Sequence, residues 1–368
     1  MAAVISRRSI GPGVLRLDGW LLTLLLILMG IGLAVLYSAG EQRLGLVWQQ
    51  SARLGLGLVA LLVMAHIPPR LLHIWAPWLF LTALALLVAT VLFGVGRGAQ
   101  RWLDLGVIRF QPAEAMKLAL PLMLAAWYAR RPLPPGWRDT ALGLLVIALP
   151  AGLIAVQPDL GSAVLVTASG LVLLFLAGLR WRLIGLMLAA AIAALPLLWI
   201  NLHAYQQNRV LTFLNPERDP LGQGWNIIQS KIAVGSGGLF GKGWQASTQS
   251  HLEFLPEPHT DFIFSVLAEE FGFVGVVTVL ALYGLITLRA LHMASRCRDT
   301  FGRLLAATVV TMFFLYVLVN VAMVSGLIPV VGVPLPLVSY GGTSAVTVLA
   351  GFGLVMGLYS RRRFMDGA

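Results

Sequence analysis

The sequence predicts an all-α integral membrane protein with ten transmembrane helices and both termini on the cytoplasmic side. Three observations carry that expectation. Of 368 residues, 58% are hydrophobic and only 11% are charged, with a mean hydropathy of +0.86, and a water-soluble domain could not cover such a surface. Apolar runs of about 20 residues, the length that crosses ~30 Å of hydrocarbon, recur along the chain. Lys and Arg gather at alternate connections between those runs, as the positive-inside rule requires.

The runs fall at 18–38, 47–65, 71–93, 112–129, 140–157, 160–178, 183–200, 262–289, 304–324 and 343–359. The first follows Arg7, Arg8 and Arg16 as in a signal peptide. It is too long for one and lacks a small-residue cleavage site, so it reads as a retained helix. Most of the 26 basic residues sit at one set of helix ends, among them Arg70, Arg130, Arg131, Arg138, Arg180, Arg182, Arg289, Arg296, Arg298, Arg303, Arg361, Arg362 and Arg363. That set defines the cytoplasmic side. The opposite side receives loops 94–111, 201–261 and 325–342. The net charge of +11 is thereby assigned to cytoplasmic loops and not to a nucleic-acid surface. A single cysteine, Cys297, excludes an intramolecular disulfide framework and a thiolate metal cluster. Nothing separates two domains, so residues 1–368 read as a single polytopic membrane domain. Its large extracytoplasmic loop, 201–261, lies between the seventh and eighth helices.

The outer loops hold the unusual chemistry. Loop 94–111 carries Arg97, Arg101 and Arg109 with Trp102 and Asp104, a local violation of the positive-inside rule. An anionic ligand held by arginine forks would explain it, and so would outer-leaflet headgroups with Trp102 as an interfacial anchor. Gln111 precedes Pro112, which suits the first turn of a helix. Glu114 and Lys117 follow three residues apart and so share one helix face. Charges that far into a span face protein or a watery cavity, either as an ion pair locking two helices or as the wall of a substrate cavity. Asp159, ahead of an apolar run, has the form of an N-cap.

Loop 201–261 is too long to lack structure or purpose. Its Gly224–Val234 stretch has helical spacing and includes Lys231, and Gly235-Ser236-Gly237-Gly238-Leu239-Phe240-Gly241-Lys242-Gly243 is a Gly-rich loop able to turn backbone N–H groups and the Lys242 cation toward phosphate. The loop closes on Pro256-Glu257-Pro258-His259-Thr260-Asp261. Thr260 or Asp261 can cap the next helix, beginning at Phe262. The added His259, Glu257 and rigid prolines exceed what a cap needs. The last outer connection, with Pro334, Pro336 and Gly332, Gly341 and Gly342, is apolar and irregular, so it must pack against protein.

Several of these motifs, in this order, resemble the SEDS family (shape, elongation, division and sporulation). They are Arg101-Trp102, Phe110-Gln111-Pro112-Ala113-Glu114 with Lys117, Gln157-Pro158-Asp159-Leu160-Gly161-Ser162, Lys231 before the Gly-rich loop, Phe254-Leu255-Pro256-Glu257 through Phe264, and Pro334-Leu335-Pro336-Leu337-Val338-Ser339-Tyr340-Gly341-Gly342. The wording around His259 is most similar to the RodA branch. The resemblance implies a ten-helix peptidoglycan glycosyltransferase of the bacterial plasma membrane, its active site facing outward. It would polymerise lipid II during cell elongation beside a class B penicillin-binding protein and other elongation-complex proteins. It also implies Asp261 as the essential carboxylate, with Arg101, Glu114 and Lys117 as cavity residues. Substrate contacts are expected from Trp102, Gln111, Asp159, Lys231, Lys242, His259 and Thr260. A divalent cation, Mg²⁺ or Mn²⁺, is compatible with the acids, though no ligand spacing demands one. The competing readings are a lipid II flippase and a non-catalytic scaffold of the elongation complex.

Overall fold

Each of the ten apolar runs folds as a helix, because in a setting without water only a helix satisfies its own backbone groups within one segment. The computed structural model describes residues 17–95, 101–104, 106, 109–201, 204–219, 222–248 and 259–363. Arg7, Arg8, Arg16, Arg97 and residues 254–258, including Glu257, lie outside them. The helices are α1 (Gly19–Ala39), α2 (Leu44–His66), α3 (Pro69–Phe93), α4 (Pro112–Tyr128), α5 (Trp137–Val156), α6 (Leu160–Leu176), α7 (Trp181–Asn201), α8 (Ala204–Leu214), α9 (Gln223–Ser236), α10 (Ile263–Ser295), α11 (Thr300–Val324) and α12 (Gly342–Arg363). Seven of them, α1, α2, α3, α5, α10, α11 and α12, are long and apolar enough to cross a membrane. α4 and α6 have 17 residues each, and α7 is apolar over Trp181–Ala194.

Three features go beyond the all-α expectation. Loop 94–111 contains a two-stranded antiparallel ribbon, β1 (Leu103–Asp104) with β2 (Arg109–Phe110), extended by a bridge from Val95 to Trp102. Asp104 closes its turn by accepting from the Gly106 N–H at 2.9 Å, and Gly106 takes φ 83°, a conformation glycine adopts without penalty. Loop 201–261 is ordered over much of its length by α8, a 3₁₀ turn at Pro216–Arg218, and α9, which covers the stretch with helical spacing. α10 is broken at Gly272, where φ 64° and ψ −161° separate a short first segment from the long second one.

Glycine also sets how close the helices come. α2 and α12 form the most extensive helix pair. A Cβ on Gly353 or Gly357 of α12 would overlap the backbone of Leu61 or Ala65 on α2, and one on Gly57 would overlap Leu349. Small residues four apart thus let two backbones meet, the arrangement that drives helix association where lipid removes the hydrophobic incentive. Around this centre the core runs through α1, α4, α6, α10, α11 and α12. Many outward-facing side chains are large and apolar, and exposed tryptophans stand near helix ends: Trp20, Trp75, Trp78, Trp137 and Trp181 at one end of the bundle, Trp48 and Trp199 at the other. Amphipathic rings gather at membrane–water boundaries.

Replacing Gly353 by Leu should therefore separate α2 from α12 and cost about 1–3 kcal/mol, read as a lower melting temperature of the detergent-solubilised protein. Gly30→Ala is the control, since nothing lies within 4 Å of a Cβ there. Equal melting of the two variants would contradict the packing argument.

Candidate active site

Four segments remote in sequence converge at one end of the bundle. The first is the start of α4. Pro112 occupies its first turn, where the missing N–H costs nothing, and Glu114 of that turn meets Lys117 of the next. Lys117 Nζ donates to Glu114 Oε1 at 2.5 Å, and each side chain is only 8% exposed. The Lys117 ammonium also lies 4.9 Å from the ring centroid of Tyr316 on α11. Both members of the pair line a cleft between α4, α11 and α12 with Tyr316, Phe313 and Thr347. The pair is thus an internal ion pair and a cavity wall at once.

The second segment is the α5–α6 junction. Asp159 caps α6, its Oδ1 accepting from Ser162 N at 3.2 Å. The other oxygen accepts from Gln111 Nε2 at 3.1 Å, and Arg101 Nη1 stands 3.8 Å from Oδ1. Arg101 also donates from Nη2 to Pro158 O at 2.6 Å. The capping role expected for Asp159 is present, and the same carboxylate gathers Gln111 and Arg101. Trp102 is half-buried, held by its bridge to Val95.

The third and fourth segments hold Asp261. The N-cap position of α10 is Phe262, with no side-chain cap there, and not Thr260 or Asp261 as expected. His259, Thr260 and Asp261 are half-buried in the preceding turn. The backbone of Asp261 is pinned by Asn320 of α11, whose Nδ2 donates to Asp261 O at 3.0 Å and to Val333 O at 2.7 Å. Across from the carboxylate is Gly332, with φ 71°; a Cβ added there would sit 3.5 Å from Asp261 Oδ2. Tyr340 N donates to His259 O at 2.9 Å, and the two rings meet edge-on at 5.8 Å. A Cβ on Gly161 would overlap Val331 O, so residues 331–333 run between the Asp159 cluster on one side and Asp261 on the other.

The remaining cations divide. Lys231, on α9, is exposed, lays its stem over Gly326 and has no carboxylate partner among the described residues. Lys242 is committed elsewhere: Nζ donates to Glu269 Oε1 at 2.6 Å and to Thr248 Oγ1 at 2.9 Å. The Gly-rich loop does not offer its amides to a ligand at this point. Gly241 N donates to Gly237 O, Lys242 N to Glu269 O and Gly243 N to Glu270 O. Its glycines admit the backbone of α10, since a Cβ on Gly237 or Gly241 would overlap Ala268 O or Glu270 O.

Gln49, Gln50 and Arg53 on α2, and Asn320 on α11, went unnoticed in the sequence. Gln50 donates to Ser339 O at 3.2 Å, Gln49 accepts from Tyr340 OH at 2.6 Å, and the Arg53 guanidinium lies 4.4 Å over the Tyr340 ring. The available signal was polarity inside an apolar run: such residues face a protein interior or a cavity.

The sequence matches the family model of the cell cycle proteins FtsW, RodA and SpoVE over residues 18–363. It is 51% identical over 353 residues to the Escherichia coli K12 protein named peptidoglycan glycosyltransferase MrdB, covering 95% of each chain. It is 34% identical to the Bacillus subtilis stage V sporulation protein E, covering 94% of this chain and 98% of that one. Among solved structures, a chain of a peptidoglycan synthase complex described as coordinating polymerization and crosslinking superposes with a TM-score of 0.81 at 39% identity, covering 95% of this chain and 99% of its own. The Thermus thermophilus rod shape determining protein RodA gives 0.72 at 35% identity, with 94% and 97% covered.

Two sets of variants test the geometry. Asn320→Leu leaves two carbonyls unpaired in a buried place and should lower stability by about 2–4 kcal/mol, seen in thermal unfolding; an unchanged melting temperature would remove Asn320 as the clamp. Lys117→Ala strands a buried carboxylate and should cost about 3–5 kcal/mol. The double variant Glu114→Leu, Lys117→Met should recover most of that stability. If it also recovers full activity, the pair is structural only.

Proposed function

The chain belongs to the FtsW/RodA/SpoVE family, and from that premise we propose that it is a peptidoglycan glycosyltransferase that polymerises lipid II, with Asp261 as general base. The observation that carries the role of Asp261 is its mounting: a carboxylate with its backbone clamped by Asn320, facing Gly332, in a segment that packs beside the start of α6 where Asp159 holds Gln111.

Lipid II joins a disaccharide-peptide to a polyprenyl pyrophosphate. The acceptor sugar hydroxyl gives its proton to the Asp261 carboxylate as its oxygen attacks the donor anomeric carbon. The bond from that carbon to the phosphate oxygen breaks, and polyprenyl pyrophosphate departs with the electron pair. A single displacement inverts the anomeric centre, so an α-linked donor yields a β-linked strand. Pyrophosphate is a good leaving group, and no second acid is required. Cations absorb its developing charge: Arg101, Lys117 and Lys231 are candidates from the sequence, and Arg53, which has no carboxylate partner among the described residues, joins them. Gln111, Asp159, Trp102, His259 and Thr260 complete the substrate walls, while Lys242 supports them through Glu269. A divalent cation, Mg²⁺ or Mn²⁺, would be held chiefly by the pyrophosphate oxygens with one or two protein carboxylates; among the described residues no three His, Cys, Asp or Glu side chains form a protein-only cage.

In this reading the ten helices formed by the apolar runs cross the plasma membrane as one domain, both termini are cytoplasmic, and the site faces outward with loop 201–261. The polymer is handed to a class B penicillin-binding protein for cross-linking within the elongation complex. The family's named peptidoglycan glycosyltransferases and the synthase complex support this reading.

With purified protein and labelled lipid II in detergent, Asp261→Ala and Asp261→Asn should both lower polymer formation by roughly 10²–10⁴-fold while melting like the parent. Near-parental polymerisation by Asp261→Asn would sink the general-base role. Failure of the parent itself to make polymer, with or without its partner, would sink the glycosyltransferase reading and favour transport or scaffolding.

A further inference from the structure

The opposite end of the bundle holds a recess between the start of α3 and the end of α4, with about 860 Å³ of space including the solvent at its mouth. Its walls change character with depth. Pro77, Met123 and Trp127 are apolar, whereas His73, Arg130 and Arg131 stand where the helices end. Pro77 and Met123 lie about 8–12 Å inside the helix ends at 1.5 Å per residue. Arg131 is committed, donating to Asp139 Oδ1 at 2.5 Å while its guanidinium stacks 4.4 Å over Trp127. Arg130 has no carboxylate partner among the described residues; its Nη2 donates to His73 Nδ1 at 3.0 Å. Arginine only donates, so Nδ1 accepts and the ring proton resides on Nε2.

Acids are scarce at this end. Among the described residues they are Asp18, paired with Arg289, Asp139, paired with Arg131, and Asp299, which caps α11. Exposed Trp75, Trp78 and Trp137 stand near the same helix ends, as rings do at a membrane boundary. A soluble anion has no use for an apolar floor, and a neutral lipid has none for an uncompensated arginine. A molecule with a phosphate at the water edge and a hydrocarbon chain below it uses both.

We propose that this recess binds an anionic phospholipid of the cytoplasmic leaflet, with Arg130 holding the headgroup phosphate and an acyl chain lying along Pro77 and Met123. The site is distinct from the outward-facing one, and the proposal stands whether or not Asp261 is a base.

Native mass spectrometry of the purified full chain, offered phosphatidylglycerol or phosphatidylcholine, tests it. The parent should retain phosphatidylglycerol preferentially. Arg130→Gln should bind it about five-fold more weakly, the loss of one cation near an anionic surface. Arg130→Lys keeps the charge and should stay within about two-fold of the parent, which separates lost charge from lost fold. Phosphatidylglycerol retained equally by Arg130→Gln and the parent would overturn the proposal. Displacement of the lipid by inorganic phosphate at equal concentration would assign the recess to a soluble anion and overturn it too.

Discussion

Residues 333–339 are irregular in backbone and yet almost wholly buried among helices, and their unmet hydrogen bonds impose the condition that organises the site. Each polar backbone group left unpaired in such a place costs free energy that no water can return. The bonds come from residues scattered over the chain. Asn320 donates to Val333 O, Tyr283 OH to Pro336 O at 2.7 Å, and Gln50 to Ser339 O, while Ser339 Oγ accepts from Leu335 N at 2.7 Å. Gly32 lets α1 approach the Leu337 carbonyl, and Leu337 itself adopts φ 64°, a conformation that costs a β-carbon-bearing residue roughly 1–2 kcal/mol. One of the neighbours that impose this shape also holds Asp261, since the Asn320 amide serves both segments. The position of the carboxylate is therefore inherited from the satisfaction of a loop that carries no acid.

The charges obey a similar logic. Glu269 is fully buried and accepts from Lys242, Ser247 and Thr248, so a charge that would be prohibitive alone becomes the knot that ties the Gly-rich turn to α10. Buried pairs of this kind add little net stability, because desolvation opposes the attraction, yet losing one partner is costly. They hold geometry more than they stabilise the fold. The Glu114–Lys117 pair does so on the wall of the cleft between α4, α11 and α12. At the other end of the bundle Arg131 and Arg289 are paired with Asp139 and Asp18, while Arg130 has no carboxylate partner among the described residues.

Much of the fold was legible in the sequence because its information is local. Run length and composition mark α1 to α7 and α10 to α12, proline marks the start of α4, and an aspartate before an apolar run marks the cap of α6. The helical spacing of apolar positions in the Gly224–Val234 stretch marks α9. The same local reading misjudged the Gly-rich turn. Glycine there answers to the backbone of α10, which is not adjacent in sequence, and nothing within residues 235–243 distinguishes amides pointing at a phosphate from amides bonded to Glu269 O and Glu270 O. The start of α10 shifted by one residue for a related reason, since two bonds to Asn320 and Tyr340 hold the preceding turn outside the helix.

By itself, then, the sequence determined a chain of apolar helices, the sign of charge at each end, and the polar residues that are candidates for chemistry, among them Asp261, Asp159 and the Glu114–Lys117 pair. These follow from solvent partition and helix periodicity, which act over one or two turns. Only the tertiary structure decided which of those residues meet. It brought Asp159 to Gln111 and Arg101, set Gly332 opposite Asp261, withdrew Lys242 to Glu269, and recruited Gln50, Arg53 and Asn320 from the middle of apolar spans. The reason is that buried polar atoms must find partners in three dimensions, and the partner that satisfies them can stand anywhere along the chain.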